Sequence, residues 1–351
     1  MSGEAGRSVS ARYTSGMGDH HSHSSALSAT LAGVLDRFRQ RGPQVALEDD
    51  LRLDGKTVVI TGANRGLGRG IAGQLARRGA RLILACRSEV DSIAESLRAE
   101  TGHSEIEALP LDLVDFDSIA AFAGQLKARQ ARVDVLVLNA GLVPLSSRKT
   151  AAGHDLMFQV NHLGNVALVE RLLADGIVPN DTLAGNGAEV PPRIVLVSSE
   201  SHRTAAPLSF EDFGAYRPYG TSSVMAHYGT SKRLVTAYAW ALGRHLTRAD
   251  GSPDVSVHAL CPGAVASDIA REAPRGLSLL LKPTMKLFFQ APDQAAIPVV
   301  WLCAATDIEG TTGCYLHMRV RKEPADEVLD EAIAQRVRDE SLALIHSHLE
   351  G

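Results

Sequence analysis

The chain has 351 residues, 45% of them hydrophobic, enough for one large domain with a sizeable core or for two ordinary ones. Its 36 basic and 40 acidic residues leave a formal net charge of −4, which argues against general nucleic-acid binding and against an acidic tail. No apolar run reaches the ~18 residues of a membrane span, the N-terminus lacks a signal-peptide core, and the four cysteines form no CxxC pair; the composition predicts a reduced, cytoplasmic protein with no disulfide, transmembrane segment or metal site.

Residues 1–48 form an extension of different composition. The first 25 are rich in Ser, Gly and His and read as a disordered tail, in which His20, His21 and His23 are polar residues rather than metal ligands. Leu27, Leu31, Val34, Leu35 and Phe38 then recur at helical spacing, predicting an amphipathic helix that docks on its own domain or on a partner subunit. From residue 49 to 351 the pattern is that of a single domain. Short apolar runs at 57–60, 81–86, 105–109, 133–138, 193–198 and 255–260 predict strands, with helices over 66–78, 89–101 and 115–130 between them. Continuous apolar strands separated by helices mean an α/β fold, a doubly wound parallel sheet of the Rossmann type. Residues 180–193 and 203–226 are long connections, of the kind that often face a substrate.

The turn after the first strand reads Thr61-Gly62-Ala63-Asn64-Arg65-Gly66-Leu67-Gly68. Its glycines allow a tight turn and close backbone approach to a pyrophosphate, and the following helix aims its N-terminal N–H groups at the anion. The second strand ends in Cys86-Arg87 rather than in an acid that would bind an adenosine ribose, so Arg87 and Arg65 are placed to grip a 2′-phosphate and NADP(H) is preferred over NAD(H). Asp112-Leu113 follows the third strand and borders the expected adenine; Asn139-Ala140-Gly141 follows the fourth, with Asn139 able to tie strand ends together and Gly141 leaving room for a cofactor.

Farther on, Tyr228 and Lys232 stand at i, i+4, on one face of a helix and one turn apart, downstream of Ser198-Ser199. A free phenol titrates near pH ~10, and moving it toward neutrality takes on the order of 4 kcal/mol. A neighbouring ammonium supplies part of that, and a phenol so tuned suits proton transfer to or from an alcohol oxygen.

Together these elements resemble the short-chain dehydrogenase/reductase family, from about Gly55 to about Tyr315, with Asn161 and Pro262-Gly263 completing the ordered set of anchors. Ala85-Cys86-Arg87, Phe158-Gln159-Val160-Asn161-His162-Leu163-Gly164, Val197-Ser198-Ser199-x2-His202 and Gly313-Cys314-Tyr315 look like the retinol dehydrogenase and WW-domain oxidoreductase branch. The resemblance implies an NADP(H)-dependent oxidoreductase acting on an alcohol or carbonyl. In it Tyr228 is the general acid/base, Lys232 lowers its pKa and binds the nicotinamide ribose, Ser199 rather than Ser198 bonds the reacting oxygen, and Asn161 holds a relay water by bending its helix. Past Pro262-Gly263, Val265 and Ser267 meet the carboxamide, Ser267 standing where the family more often has Thr. Ser199 and Tyr228 lie 29 residues apart, so the intervening segment, with Tyr216, Tyr219 and His227, must loop out.

The apolar run from Leu277 to Phe289 is expected to cover a hydrophobic substrate, and Lys282 and Lys286 leave peripheral membrane contact open. Family members often pair through helices flanking the sheet, which implies a homo-oligomer. Two other readings of the fold stand beside the enzyme: a cofactor-binding regulator or scaffold with little turnover, and a light-driven reductase of tetrapyrroles.

Overall fold

The computed structural model describes residues 45–265 and 290–349. The predicted N-terminal helix, Ser267 and the run from Leu277 to Phe289 lie outside the described residues.

Eight strands form one sheet: β1 (Thr57–Thr61), β2 (Arg81–Cys86), β3 (Ile106–Pro110), β4 (Val135–Leu138), β5 (Arg193–Val197), β6 (Ser256–Cys261), β7 (Tyr315–His317) and β8 (Val320–Arg321). Their order is β3-β2-β1-β4-β5-β6-β7-β8, and every pairing is parallel except that of β7 with β8. The helices are α1 (Gly66–Arg77), α2 (Val90–Thr101), α3 (Phe116–Ala128), α4 (Leu156–Phe158), α5 (Gly164–Ala174), α6 (Val224–His245), α7 (Pro292–Ala304), α8 (Asp326–Leu329) and α9 (Glu331–Leu349). A π-helical turn, Gln159–Leu163, joins α4 to α5.

The central strands are apolar on both faces because both faces are covered. Val59, Ile83 and Leu136 join one core with residues of α3, α5, α6 and α9. Their neighbours Val58, Ile60, Leu82, Leu84, Val135 and Val137 point the other way, into a second core with residues of α1, α2 and α7. The period of two along each strand thus distributes one sheet between two layers of helices.

Strand order reverses between β1, which leads outward to β2 and β3, and β4, which leads to β5 and β6. In open α/β sheets the crevice at the carboxyl ends of strands beside such a reversal is where ligands bind. The six strands and three helices predicted from the sequence lie within about two residues of those observed. The hairpin of β7 and β8 adds an antiparallel edge that the sequence pattern does not signal, since both strands are very short.

Residues at the end of the N-terminal extension already belong to the domain. Val45 exchanges hydrogen bonds with Arg319, its N–H donating to the Arg319 carbonyl at 2.7 Å and its carbonyl accepting from Arg319 Nε at 2.8 Å. At the other terminus, α9 packs on α5 and α6, so the chain's own C-terminal helix covers the face these two present. A buried set of charges pins it: Arg338 stands 3.3 Å from the Glu170 carboxylate, which also accepts from the Tyr238 hydroxyl at 3.1 Å.

Candidate active site

The glycine turn is built as its composition suggests. Gly62 and Gly66 adopt left-handed φ values of 68° and 51°, open to glycine at little cost. A Cβ on Gly68 would stand 2.3 Å from the Gly62 carbonyl oxygen and 2.6 Å from Asn139 Nδ2, so this position admits no side chain. Asn139 ties the two strand ends together: its Nδ2 donates to the carbonyls of Thr61 (3.0 Å) and Gly62 (3.2 Å), while the Thr61 hydroxyl accepts from the N–H groups of Asn139 and Ala140. Helix α1 starts at Gly66 with no side-chain cap and no acid in its first turn. Its N–H groups and positive dipole end therefore face the crevice, a fit for a pyrophosphate.

Arg87 is exposed and Arg65 half-buried at this end. Three residues beyond Cys86, however, Glu89 turns back in a left-handed conformation and accepts from Asn64 Nδ2 at 2.9 Å. A carboxylate thus stands beside the glycine turn although the strand end itself has none. Asp112 caps its own loop by accepting from the Val114 N–H at 3.0 Å, and Leu113 is buried with its carbonyl directed at Gly164.

At the carboxyl ends of β5 and β6 the reaction-type side chains converge. The Ser199 side chain acts on the Tyr228 phenol, so the fold closes the 29-residue separation between them. Ser198 is occupied elsewhere: its hydroxyl lies 2.6 Å from the Thr236 hydroxyl and 3.3 Å from the Lys232 carbonyl oxygen. The geometry therefore separates two serines that chemistry alone leaves equivalent. Lys232 is buried, donates to the Val197 carbonyl at 2.8 Å, and holds its ammonium 5.8 Å from the centre of the Tyr228 ring.

The electrostatics of the protein alone are dominated by burial. Burial, and after it Cys261, push the Tyr228 phenol above its ordinary value, while the Ser199 side chain acts the other way. Burial also draws Lys232 down, to about 8. The protein's own groups thus hold the phenol protonated, where the i, i+4 lysine alone predicts a lowered pKa. Desolvation is the largest influence on both groups because both are enclosed.

Asn161 lies on the π-helical turn, whose five residues are all buried. Its Oδ1 accepts from the Leu142 N–H at 2.8 Å; its Nδ2 donates to the Leu142 carbonyl (3.0 Å) and to Ser231 Oγ (3.1 Å). Ser231 in turn donates to the Tyr228 carbonyl at 2.8 Å. A Cβ on Gly141 would touch both Asn161 Oδ1 (3.3 Å) and Lys232 Nζ (3.5 Å), so these two polar groups flank one small space. The widened turn frees carbonyls, and Asn165 Nδ2 takes up two of them, those of Val160 (3.0 Å) and Asn161 (3.1 Å).

Two further groups escape the sequence reading. Leu142, Val143, Met157, Tyr219 and Val224 make an apolar cluster that packs against the Tyr228 ring. Tyr219 comes from the looped-out segment and stacks on His227 with ring centres 4.1 Å apart. Behind Ser199, buried His202 bonds the Ser199 carbonyl through Nδ1 (2.7 Å) and accepts the Ala325 N–H at Nε2 (3.0 Å). The second bond fixes the tautomer with the proton on Nδ1, and burial lowers this imidazole to about 4, so it stays neutral. Past β6, Gly263 takes φ 87°, and Val265 forms an isolated bridge with Gln290. The Pro262 carbonyl accepts from Gln290 Nε2 at 3.3 Å, so the described residues on either side of the 266–289 segment lie together beside the site.

The family model described as short chain dehydrogenase matches residues 56–207. The chain is 35% identical to human retinol dehydrogenase 13, over 90% of this chain and 92% of that one, and 32% identical to human retinol dehydrogenase 14, over 91% and 97%. Among solved structures, an uncharacterized protein from Mycobacterium paratuberculosis superposes with a TM-score of 0.65 at 25% identity, covering 87% of this chain and 98% of its own. A structure from Beutenbergia cavernae with bound NADP at low occupancy gives a TM-score of 0.53 at 27% identity, covering 77% and 97%.

Proposed function

Because the chain belongs to the short-chain dehydrogenase/reductase family, in its retinol dehydrogenase-like group, we propose that it is an NADP(H)-dependent oxidoreductase acting on the alcohol or carbonyl group of a hydrophobic small molecule, with Tyr228 as general acid/base. The observation that carries this reading is the gathering of Tyr228 and Ser199, with Lys232 and Asn161 behind them, at the carboxyl ends of the strands.

The residues present fit a dinucleotide. The uncapped start of α1 and the turn Gly62, Asn64, Arg65, Gly66, Leu67 and Gly68 would hold its pyrophosphate, Arg87 a 2′-phosphate, and Asp112, Leu113, Asn139, Ala140 and Gly141 its adenosine side. Lys232, Pro262, Gly263, Val265 and Ser267 would serve the nicotinamide half. When bound, such a cofactor supplies or takes the hydride, and the protein supplies position and electrostatics. The bound NADP of the Beutenbergia cavernae structure supports the class.

On the protein's side the steps follow from proton affinity. A substrate carbonyl oxygen accepts from the Tyr228 and Ser199 hydroxyls. As negative charge develops on it, Tyr228 gives up its proton and Ser199 keeps its hydrogen bond, now charge-assisted and stronger. A phenol held protonated by its surroundings is suited to this donor role when the reaction runs as carbonyl reduction. Reprotonation would run over Lys232 and a water between it and Asn161, in the space bordered by Gly141. The apolar cluster of Leu142, Val143, Met157, Tyr219 and Val224 favours an apolar substrate.

The test is NADPH consumption by purified protein over a panel of aliphatic and aromatic aldehydes and ketones. Turnover that improves with substrate apolarity is the expected result. Tight NADPH binding with no turnover across the panel would instead favour a cofactor-sensing regulator of the same fold.

A further inference from the structure

We propose that Arg233 is a positioning residue: from the helix that carries Tyr228 it latches the turn that carries Ser199, and so fixes how the two hydroxyls meet one oxygen. The role rests on the proposed reaction, in which both hydroxyls hold the substrate carbonyl. Two stripes run side by side along the first turns of α6. Tyr228 and Lys232 form one; Gly229 and Arg233, each one residue farther on, form the next. The second stripe meets the short helical turn Glu200–Arg203, whose N-cap is Ser199. Gly229 lets that turn come close, since a Cβ there would stand 2.8 Å from the Ser201 carbonyl oxygen and 3.5 Å from the Ala205 Cβ.

One helical turn on, buried Arg233 closes the seam. Its Nε donates to the His202 carbonyl at 2.8 Å. Nη2 donates to the carbonyls of Ala205 (2.8 Å) and Arg203 (3.3 Å), and Nη1 to the Ala206 carbonyl (2.9 Å) and the Glu327 carboxylate. Every N–H of the guanidinium is spent on this contact, which a lysine's single point charge could not reproduce. Glu327, on α8, is itself held in place, its other oxygen accepting from the Leu208 N–H at 2.8 Å. The link to Ser199 runs through His202. The Ser199 carbonyl accepts from the His202 backbone N–H at 3.0 Å and from its Nδ1 at 2.7 Å, while the Ser199 hydroxyl oxygen accepts from the Ser201 N–H at 3.3 Å. Ser199 thus takes its place from the turn, and the turn takes its place against α6 from Arg233.

A merely structural arginine and a positioning one differ in how their loss combines with the loss of Ser199. Arg233→Met keeps the length of the side chain and removes its donors. It is expected to lower kcat for reduction of a hydrophobic aldehyde by about tenfold, the kind of loss a slight misplacement brings, with NADPH affinity within a few-fold. In a Ser199→Ala background the same substitution is expected to lower kcat by less than about twofold, because the group it positions is gone. A fall of equal size in both backgrounds would overturn the proposal. Should Arg233→Met fail to fold, Gly229→Ala keeps every donor and displaces only the turn. Its smaller loss of kcat is expected to vanish in the Ser199→Ala background, and persistence there would overturn the proposal equally.

Hydrogen exchange of the full-length protein separates the latch from the activity. The amides of His202 and Thr204, bonded to the carbonyls of Ser199 (3.0 Å) and Ser201 (3.2 Å), report on the turn. In Arg233→Met, or in Gly229→Ala, they are expected to exchange about tenfold or more faster, with the amides of β1 and β2 unchanged. Unchanged exchange in the turn would overturn the proposal. Faster exchange supports the latch even in a protein that turns nothing over, an outcome that would defeat the proposed reaction instead.

Discussion

Ser198 and Ser199 are neighbours with different fates. Ser199 faces Tyr228, so Ser199→Ala should lower kcat by about 100-fold, the usual cost of one donor to a developing oxyanion. Ser198 bonds Thr236 inside the protein, so Ser198→Ala should leave kcat within a few-fold and cost about 1 kcal/mol of stability, read by urea unfolding. Arg87 is the sequence's candidate reader of a 2′-phosphate. Arg87→Asp should weaken NADPH by about ten- to a hundred-fold and NADH far less, measured by titration of cofactor fluorescence. Equal losses would move the preference elsewhere, and Glu89, bonded to Asn64, is the residue to examine next. The pair Tyr228 and Lys232 was legible from spacing alone. Its electrostatics were not, because the desolvation that raises the phenol depends on how completely the fold encloses it.

At the scale of elements, the π-helical turn is where the site and the fold meet. Asn161 sits there with both amide atoms committed to Leu142 and Ser231, and Asn165 stabilises the turn by taking the carbonyls of Val160 and Asn161. Asn165→Leu leaves those two buried carbonyls without this donor. About 1–3 kcal/mol of stability should be lost, together with a fall in kcat larger than any change in KM. A rise in KM alone would show that the turn shapes binding rather than the relay. The strands and the first three helices were readable because each is a single amphipathic or apolar segment with a glycine or loop at its ends. The hairpin of β7 and β8 was not, since Tyr315–His317 and Val320–Arg321 carry too few residues to show a period. Nor was the apolar cluster at Tyr228. Leu142, Met157, Tyr219 and Val224 come from separate connections and helices, and only the fold assembles them.

For the whole molecule, buried histidines set the pH limits of stability. Burial lowers His162 to about 3, His258 to about 3 and His202 to about 4, against about 6.5 for a free imidazole. Groups depressed in the folded state contribute stability above pH ~6.5 and lose it as the pH falls toward those values, since the unfolded chain binds the protons first. His317, raised to about 9, has the opposite sign: its contribution is complete below pH ~6.5 and is lost as the pH rises through about 9. Urea midpoints should therefore decline on both sides of neutrality, and His317→Gln should flatten the alkaline limb only. The C-terminal helix offers a separate test. Arg338→Met leaves Glu170 buried without its cation and should cost about 3–5 kcal/mol, whereas pairing it with Glu170→Leu should restore much of the loss.

The central claim is that Tyr228 moves the proton at a carbonyl that Ser199 also holds. Its most direct measurement compares wild-type protein and Tyr228→Phe for both NADPH affinity and steady-state reduction of a hydrophobic aldehyde turned over by the wild type. The account predicts turnover reduced by at least about 100-fold, the lower end of what a positioned acid contributes, with NADPH affinity held within a few-fold. Turnover by the phenylalanine variant at a rate near wild type would contradict it.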